Sequence, residues 1–295
     1  MKAPAFDYVR AKSLPEALGL LRRHGDEAKV IAGGQSLVPA LNLRLLAPRL
    51  LVDIGALPEL KGVSAADGRL RIGALTRHAE LMDSPDIAAQ APLIAQGIRH
   101  VAHPAVRNRG TLGGSLANAD PATELPACML ALRAEMIVAG SDGERRIEAQ
   151  EFFTGLYETA LAPDEILVAV EVPAIRPDER CAFLELARRL GDYALVGLAA
   201  QGTVRDGALS DLRLAYFGVG AKPTLAAAAA ARLAGPVTEA ALAEAQGALA
   251  QDLDPQDDIQ ASAATRLHLA GVLLRRAVHE LVPEAFPDAA ERKSA

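Results

Sequence analysis

Hydrophobic positions recur along this chain at two periods, one suited to helices and one to strands. Leu14, Ala17, Leu18 and Leu21 are spaced three and four apart, and Ser13-Leu14-Pro15-Glu16 ahead of them reads as a capping box with proline in the first turn. Gly25 ends that helix. A short mixed run at 6–10 and apolar runs at 29–32 and 50–54 read as strands, so the chain opens as alternating strand and helix. Further on, 69–74 alternate like a half-buried strand, 77–82 read as a short helix, and 86–100 keep helical spacing throughout. An apolar helix at 126–133, a strand at 136–139 and a tight turn at Asp142-Gly143 follow. A β-rich run at 166–172 ends at Pro173, and the polar, proline-flanked stretch 175–179 marks a lobe boundary.

Beyond that boundary the order is strands first, helices last. Runs at 182–186, 198–204 and 209–219 predict an antiparallel meander with Asp206-Gly207 as a hairpin turn. Three alanine-rich helices are expected near 225–233, 239–252 and 262–280. The domain reading is a first lobe at 1–57, a second at 58–176, a strand-plus-helix lobe at 177–288, and a frayed tail at 289–295.

Composition narrows the function. The 295 residues suffice for two or three packed lobes, and a net charge of −6 with only 3% aromatics and no Trp argues against nucleic-acid binding. Two cysteines, Cys128 and Cys181, cannot complete a four-thiolate cluster or a disulfide framework, which suits a reducing cytoplasm. Cys128 falls in an apolar helix and reads as core. No secretory pattern opens the chain, and the most apolar run, 225–233, is about half a membrane span. His78, His100 and His103 lack metal spacing on one helix face and read as surface or capping residues, so no metal site is expected. No catalytic Ser/His/Asp arrangement is visible either. The pair Arg188-Arg189 reads as solvated or interfacial charge.

Two glycine clusters carry the candidate chemistry. In Ala32-Gly33-Gly34-Gln35-Ser36 a strand enters paired glycines, whose backbone N–H groups can converge on an anion with help from the Ser36 hydroxyl. A plain strand-to-loop turn fits the same residues. No Gly-Lys-Ser/Thr follows, and adjacent glycines with Pro39 close behind do not fit a dinucleotide fingerprint. Asp53, at a strand end, therefore reads as a cap or turn acceptor and not as a ribose ligand. The second cluster, Arg107-Asn108-Arg109-Gly110-Thr111-Leu112-Gly113-Gly114-Ser115, continues through Asn118, Asp120 and Glu124. It gathers hydroxyls, glycines, an amide and acids in a segment that reads as a loop. Turns from two lobes could clamp one elongated ligand with a diphosphate at its middle.

Together these motifs, with Arg188-Arg189-Leu190-Gly191-Asp192-Tyr193-Ala194 in the last lobe, resemble the FAD-binding medium subunit of molybdenum hydroxylases, the xanthine dehydrogenase and carbon monoxide dehydrogenase family. The resemblance covers essentially the whole chain. It implies an α+β, vanillyl-alcohol-oxidase-type (PCMH-type) FAD-binding fold, with two α/β lobes and a C-terminal lobe of antiparallel strands backed by helices. It implies that Ala32, Gly33, Gly34, Gln35, Ser36, Thr111, Gly113, Gly114 and Ser115 hold the FAD diphosphate without a covalent bond. Glu124 matches a position that contacts the ribityl chain, while Asn118 and Asp120 either bind sugar hydroxyls or cap the turn. Leu167 matches a strand that packs on the flavin or adenine, and Tyr193 either lies beside the isoalloxazine or is a core tyrosine. Where relatives often carry a lysine that reaches the flavin, Leu184 and Glu185 stand here.

The function so implied is electron transfer in a multisubunit oxidoreductase, with the chain inactive on substrate alone. The partners expected are a large subunit with a molybdopterin-type molybdenum cofactor and a small subunit with two-iron two-sulfur clusters, assembled as a dimer of heterotrimers. A stand-alone FAD-dependent oxidase, or a nucleotide-binding module without turnover, is the alternative.

Overall fold

In the computed structural model, which describes residues 2–286, three sheets are stacked through shared cores. The first has three parallel strands, Asp7–Arg10, Leu50–Asp53 and Ala28–Ile31, with Leu50–Asp53 in the middle. The helix Leu14–His24 covers it. Ser13 accepts from the Glu16 N–H, Glu16 reaches back to the Lys12 N–H, and Gly25 ends the helix at φ 52°. Ala17 and Leu21 go into the core beneath.

The second sheet is antiparallel throughout, in the order Val63–Ala66, Arg69–Gly73, Ile166–Pro173, Glu135–Gly140, Gly143–Glu148. Both of its faces are covered, which explains the unbroken apolar run in its middle strand. Ile137, Ala139 and Val168 join the core of the first sheet, whereas Met136, Val138 and Val170 pack into a second core with the helix Glu124–Ala131. The third sheet is the expected meander of Glu179–Ala187, Ala194–Arg205 and Ala208–Phe217, extended by Thr224–Leu225. Asp206 and Gly207, both at positive φ, make the hairpin turn. Phe183, Ala199 and Phe217 face the second core, while Leu198, Leu214 and Tyr216 face the helices Glu239–Asp252 and Ala263–Leu281.

Several expectations shift. Residues 86–100 form two helices, Pro85–Gln90 and Pro92–Gly97, because Pro92 forces Ala91 out of helical geometry to φ −137° and ψ 57°. The tight turn is Ser141-Asp142, one residue earlier than expected, since Gly140 pairs with Gly143. Residues 63–66 pair as a strand through a turn at Asp67 and Gly68, both at positive φ. The second glycine cluster, expected as a loop, is largely the helix Leu112–Asn118. The tail expected at 289–295 lies outside the described residues. No helix among those described is long and apolar enough to cross a membrane.

Candidate functional site

The first glycine turn leaves the strand Ala28–Ile31 and enters the short helix Leu37–Asn42. Between them the N–H groups of Gly33, Gly34, Gln35 and Ser36 donate to no acceptor among the described residues. Gly34 sits at φ 72°, where glycine is favoured. Ser36 makes no side-chain cap bond, and Gln35 folds its amide onto the Gly33 carbonyl at 3.1 Å. The result is a row of adjacent backbone donors at a partly exposed turn.

Those donors border a cleft. A cavity of about 500 Å³ is lined by 31–35 together with Tyr8, Arg10, Asp53 and Arg109. A second, of about 270 Å³, shares Arg10, Gly33, Asp53 and Arg109 and adds Lys61, Arg77 and Thr111. The side chains of Lys61, Arg77 and Arg109 form no ion pair among the described residues, so the cleft carries uncompensated positive charge. A row of free N–H groups beside three cations is chemistry suited to a diphosphate.

Asp53 proves to be more than the turn acceptor expected of it. One carboxylate oxygen takes the Gly55 N–H at 2.7 Å, as expected. The other takes the Tyr8 hydroxyl and, at 3.1 Å, the Arg10 guanidinium, and the group lines both cavities. Partial burial pushes its carboxyl up, but the hydrogen bonds from Tyr8, Gly55 and Arg10 outweigh burial and hold it below the usual range. Asp53 thereby fixes Tyr8 and Arg10 at the mouth of the cleft.

The second glycine segment acts differently from the expected clamp. Thr111 caps the helix Leu112–Asn118 by accepting the Gly114 N–H on its hydroxyl at 3.1 Å. Leu112 donates to the Thr76 carbonyl, Gly113 to that of Ala74, and Ser115 to that of Thr111. The backbone donors of 112–115 are thus used inside the protein. Gly113 is glycine for packing, because a methyl there would stand 2.5 Å from Cβ of Ala74. Of this segment Thr111 lines the cleft, while Gly114 is exposed and Ser115 partly exposed on the helix that follows.

His78, expected at the surface or as a cap, is buried and belongs to this unit. Its Nε2 lies 3.1 Å from the Thr111 carbonyl oxygen and 3.1 Å from the Ser115 hydroxyl. Burial pushes its pKa down to about 4. His103 is exposed and makes no cap bond, and Arg188 and Arg189 are exposed as expected.

Most of the remaining candidates gather elsewhere, around Asp120. Asp120 is buried, caps the turn through the Ala122 N–H at 3.0 Å, and accepts the Tyr157 hydroxyl at 3.1 Å. Tyr193 is 58% exposed, so it is no core tyrosine. Its phenol is pushed up to about 12 by desolvation, with Asp120 adding to it. Burial pushes Glu124 up to about 7, with Asp120 adding to it, and pushes Glu185 up to about 8, with Glu124 adding. Glu185 stands 3.6 Å from His100, with its side chain only 4% exposed. Asn118 is half-buried at the helix end. Leu167 lies apart, buried in the second core.

Sequence reasoning missed Tyr8, Arg10, Lys61, Arg77, His78, Arg109 and Tyr157. Only Arg109, inside the quoted motif, carried a local signal, since the others come from separated stretches that the fold alone brings together.

The profile of one protein family, described as "FAD binding domain in molybdopterin dehydrogenase", matches residues 4–175. Another, "CO dehydrogenase flavoprotein C-terminal domain", matches 181–281. The 6-hydroxypseudooxynicotine dehydrogenase complex subunit alpha of Paenarthrobacter nicotinovorans is 40% identical over 289 residues, covering 97% of this chain and 98% of that one. The carbon monoxide dehydrogenase medium chain of Hydrogenophaga pseudoflava is 35% identical over 280 residues, 95% and 98% of the two chains. A solved structure of carbon monoxide dehydrogenase from the same organism, in a form lacking the Mo-pyranopterin moiety of the molybdenum cofactor, superposes with a TM-score of 0.93. That match has 36% identity and covers 95% of this chain and 98% of that one.

Proposed function

Because the chain belongs to the carbon monoxide dehydrogenase and xanthine dehydrogenase family of FAD-binding medium subunits, we propose that it holds FAD non-covalently in the cleft between its glycine turn and Thr111. It is the electron-transfer subunit of a multisubunit molybdenum-containing hydroxylase, an oxidoreductase component and not a complete enzyme. The observation that carries the site is the row of free N–H groups at 33–36 in a cleft that also holds Lys61, Arg77 and Arg109. Hydrogen bonds involving a charged group contribute about 1.5–3 kcal/mol each, so a few of them suffice for tight retention.

When bound, FAD supplies redox chemistry, taking up single electrons and discharging two. The protein's part is to bind and orient. Gly33, Gly34, Gln35 and Ser36 donate to the diphosphate, Ala32 sets the strand exit, and Thr111, Gly114 and Ser115 close the other side. Asn118, Asp120, Glu124 and Tyr193 take the ribityl chain and ring, with Tyr157 tied to the same Asp120, while Leu167 and Gly113 support these groups from the core.

In this reading the metal centres belong to partner chains. Among the described residues no group of three His, Cys, Asp or Glu could hold a metal ion. Burial pushes the Cys128 thiol well up and the Cys181 thiol to about 11, which disfavours the thiolates a cluster needs. The proposed partners are a large chain with a molybdopterin-type molybdenum cofactor and a small chain with two-iron two-sulfur clusters, as a dimer of heterotrimers in the cytoplasm. Purification from the host tests this. One larger and one smaller chain should co-purify, carrying molybdenum and iron, and only the complete complex should bleach its flavin with substrate. Bleaching by this chain alone would replace the proposal with an independent oxidase.

A further inference from the structure

We propose that His78 is a positioning residue that fixes the Ser115 hydroxyl as a hydrogen-bond donor to the diphosphate of FAD. The inference rests on the FAD reading above and concerns how one donor in the cleft is aimed.

The Thr111 carbonyl oxygen can only accept. His78 Nε2 lies 3.1 Å from it, so that nitrogen carries the proton. The opposite ring nitrogen, Nδ1, has no partner among the described residues. The neutral Nε2–H tautomer leaves only a lone pair there, which costs less than a stranded N–H.

The same Nε2–H lies 3.1 Å from Ser115 Oγ, so Ser115 accepts in that contact and its own proton must turn elsewhere. A serine inside a helix ordinarily returns its hydroxyl to the carbonyl four residues back. Here that carbonyl is Thr111, and it already accepts the Ser115 N–H at 3.1 Å and the imidazole of His78. Both of its lone pairs are engaged. Ser115 is partly exposed one helical turn from Thr111, which lines the cleft, and its hydroxyl proton is left to a ligand. His78 sits where it can enforce this, because its backbone N–H donates to the Gly110 carbonyl and its neighbour Arg77 bridges to Thr111.

Four apo chains test the proposal by FAD titration followed by flavin fluorescence. They are His78→Gln, which keeps an N–H donor, and His78→Leu, which keeps only bulk, each with Ser115 intact and with Ser115→Ala. With Ser115 present, Leu should lower FAD affinity about tenfold relative to Gln, the size of one hydrogen bond to a charged group. With Ser115→Ala the Gln-to-Leu difference should fall below about threefold. An equal difference in both backgrounds would make His78 a purely structural residue and overturn the proposal. If His78→Leu does not fold, Ser115→Ala alone decides, and wild-type affinity in that chain overturns the proposal. Failure of the unsubstituted chain to bind FAD is a separate outcome, which overturns the reading on which the proposal rests.

Discussion

Gly33 lies against the backbone of Arg109 so closely that a methyl group on its Cα would stand 2.2 Å from the Arg109 carbonyl oxygen. The two glycine-bearing segments, more than seventy residues apart in sequence, therefore meet directly, and the first is glycine at this point because the second occupies the space. Gly34 beside it has a different reason. A methyl there would meet only side chains, Val38 Cγ2 at a tight 3.3 Å, but the backbone sits at φ 72°.

The two positions should respond differently to alanine. Gly34→Ala should cost about 1–2 kcal/mol of stability, the penalty for left-handed geometry, and keep most FAD. Gly33→Ala must push Arg109 and Gly110 away, so it should lose affinity for FAD about tenfold or more while keeping its secondary structure. Thermal unfolding and FAD titration of both variants decide. Equal FAD affinities would contradict the contact as the determinant of the cleft.

Removing the uncompensated cations should weaken binding without unfolding the chain. Lys61→Met, Arg77→Met and Arg109→Met should each lower FAD affinity by about five- to tenfold, and added salt should weaken the variants less than the original chain. Titrations at low and high salt check this. Arg10→Met should act more weakly, since Asp53 already compensates Arg10.

Stability should also depend on pH, through two buried acids. Glu185, at about 8, and Glu124, at about 7, are raised above their ordinary value of 4.5. In that window the folded chain holds protons that the unfolded chain has lost, so stability falls as pH rises. His78 is lowered from 6.5 to about 4 and acts in the opposite sense, but only below 6.5. Between pH 6.5 and 8 these two acids dominate the slope among the described groups with resolved shifts. The apo chain should therefore melt at a lower temperature at pH 8 than at 6.5, and Glu185→Gln should flatten that fall. Identical slopes in the two chains would contradict the burial of Glu185.

Much of this architecture was legible because it rests on local signals. The Ser13 cap, the Asp206-Gly207 turn and the apolar run 166–172 each carry their structure in adjacent residues. The first glycine turn was legible for the same reason. Gly113 and Gly114 misled, since paired glycines suggest a loop, whereas here one admits Ala74 and the other lies in a short helix capped by Thr111. The cations at 61, 77 and 109 and the imidazole of His78 had no common signal. They stand on separate segments and acquire a shared role only when the strand pairing and the Arg77–Thr111 bridge bring them together.

The central claim is that this cleft holds intact FAD without a covalent bond, and acid precipitation of the purified chain tests it most directly. The protein should show a flavin spectrum, and the acid supernatant should contain FAD in about one-to-one ratio with the chain, as expected for the one cleft described here. Flavin retained in the precipitate, release of FMN in place of FAD, or a colourless chain that takes up no FAD would contradict the account.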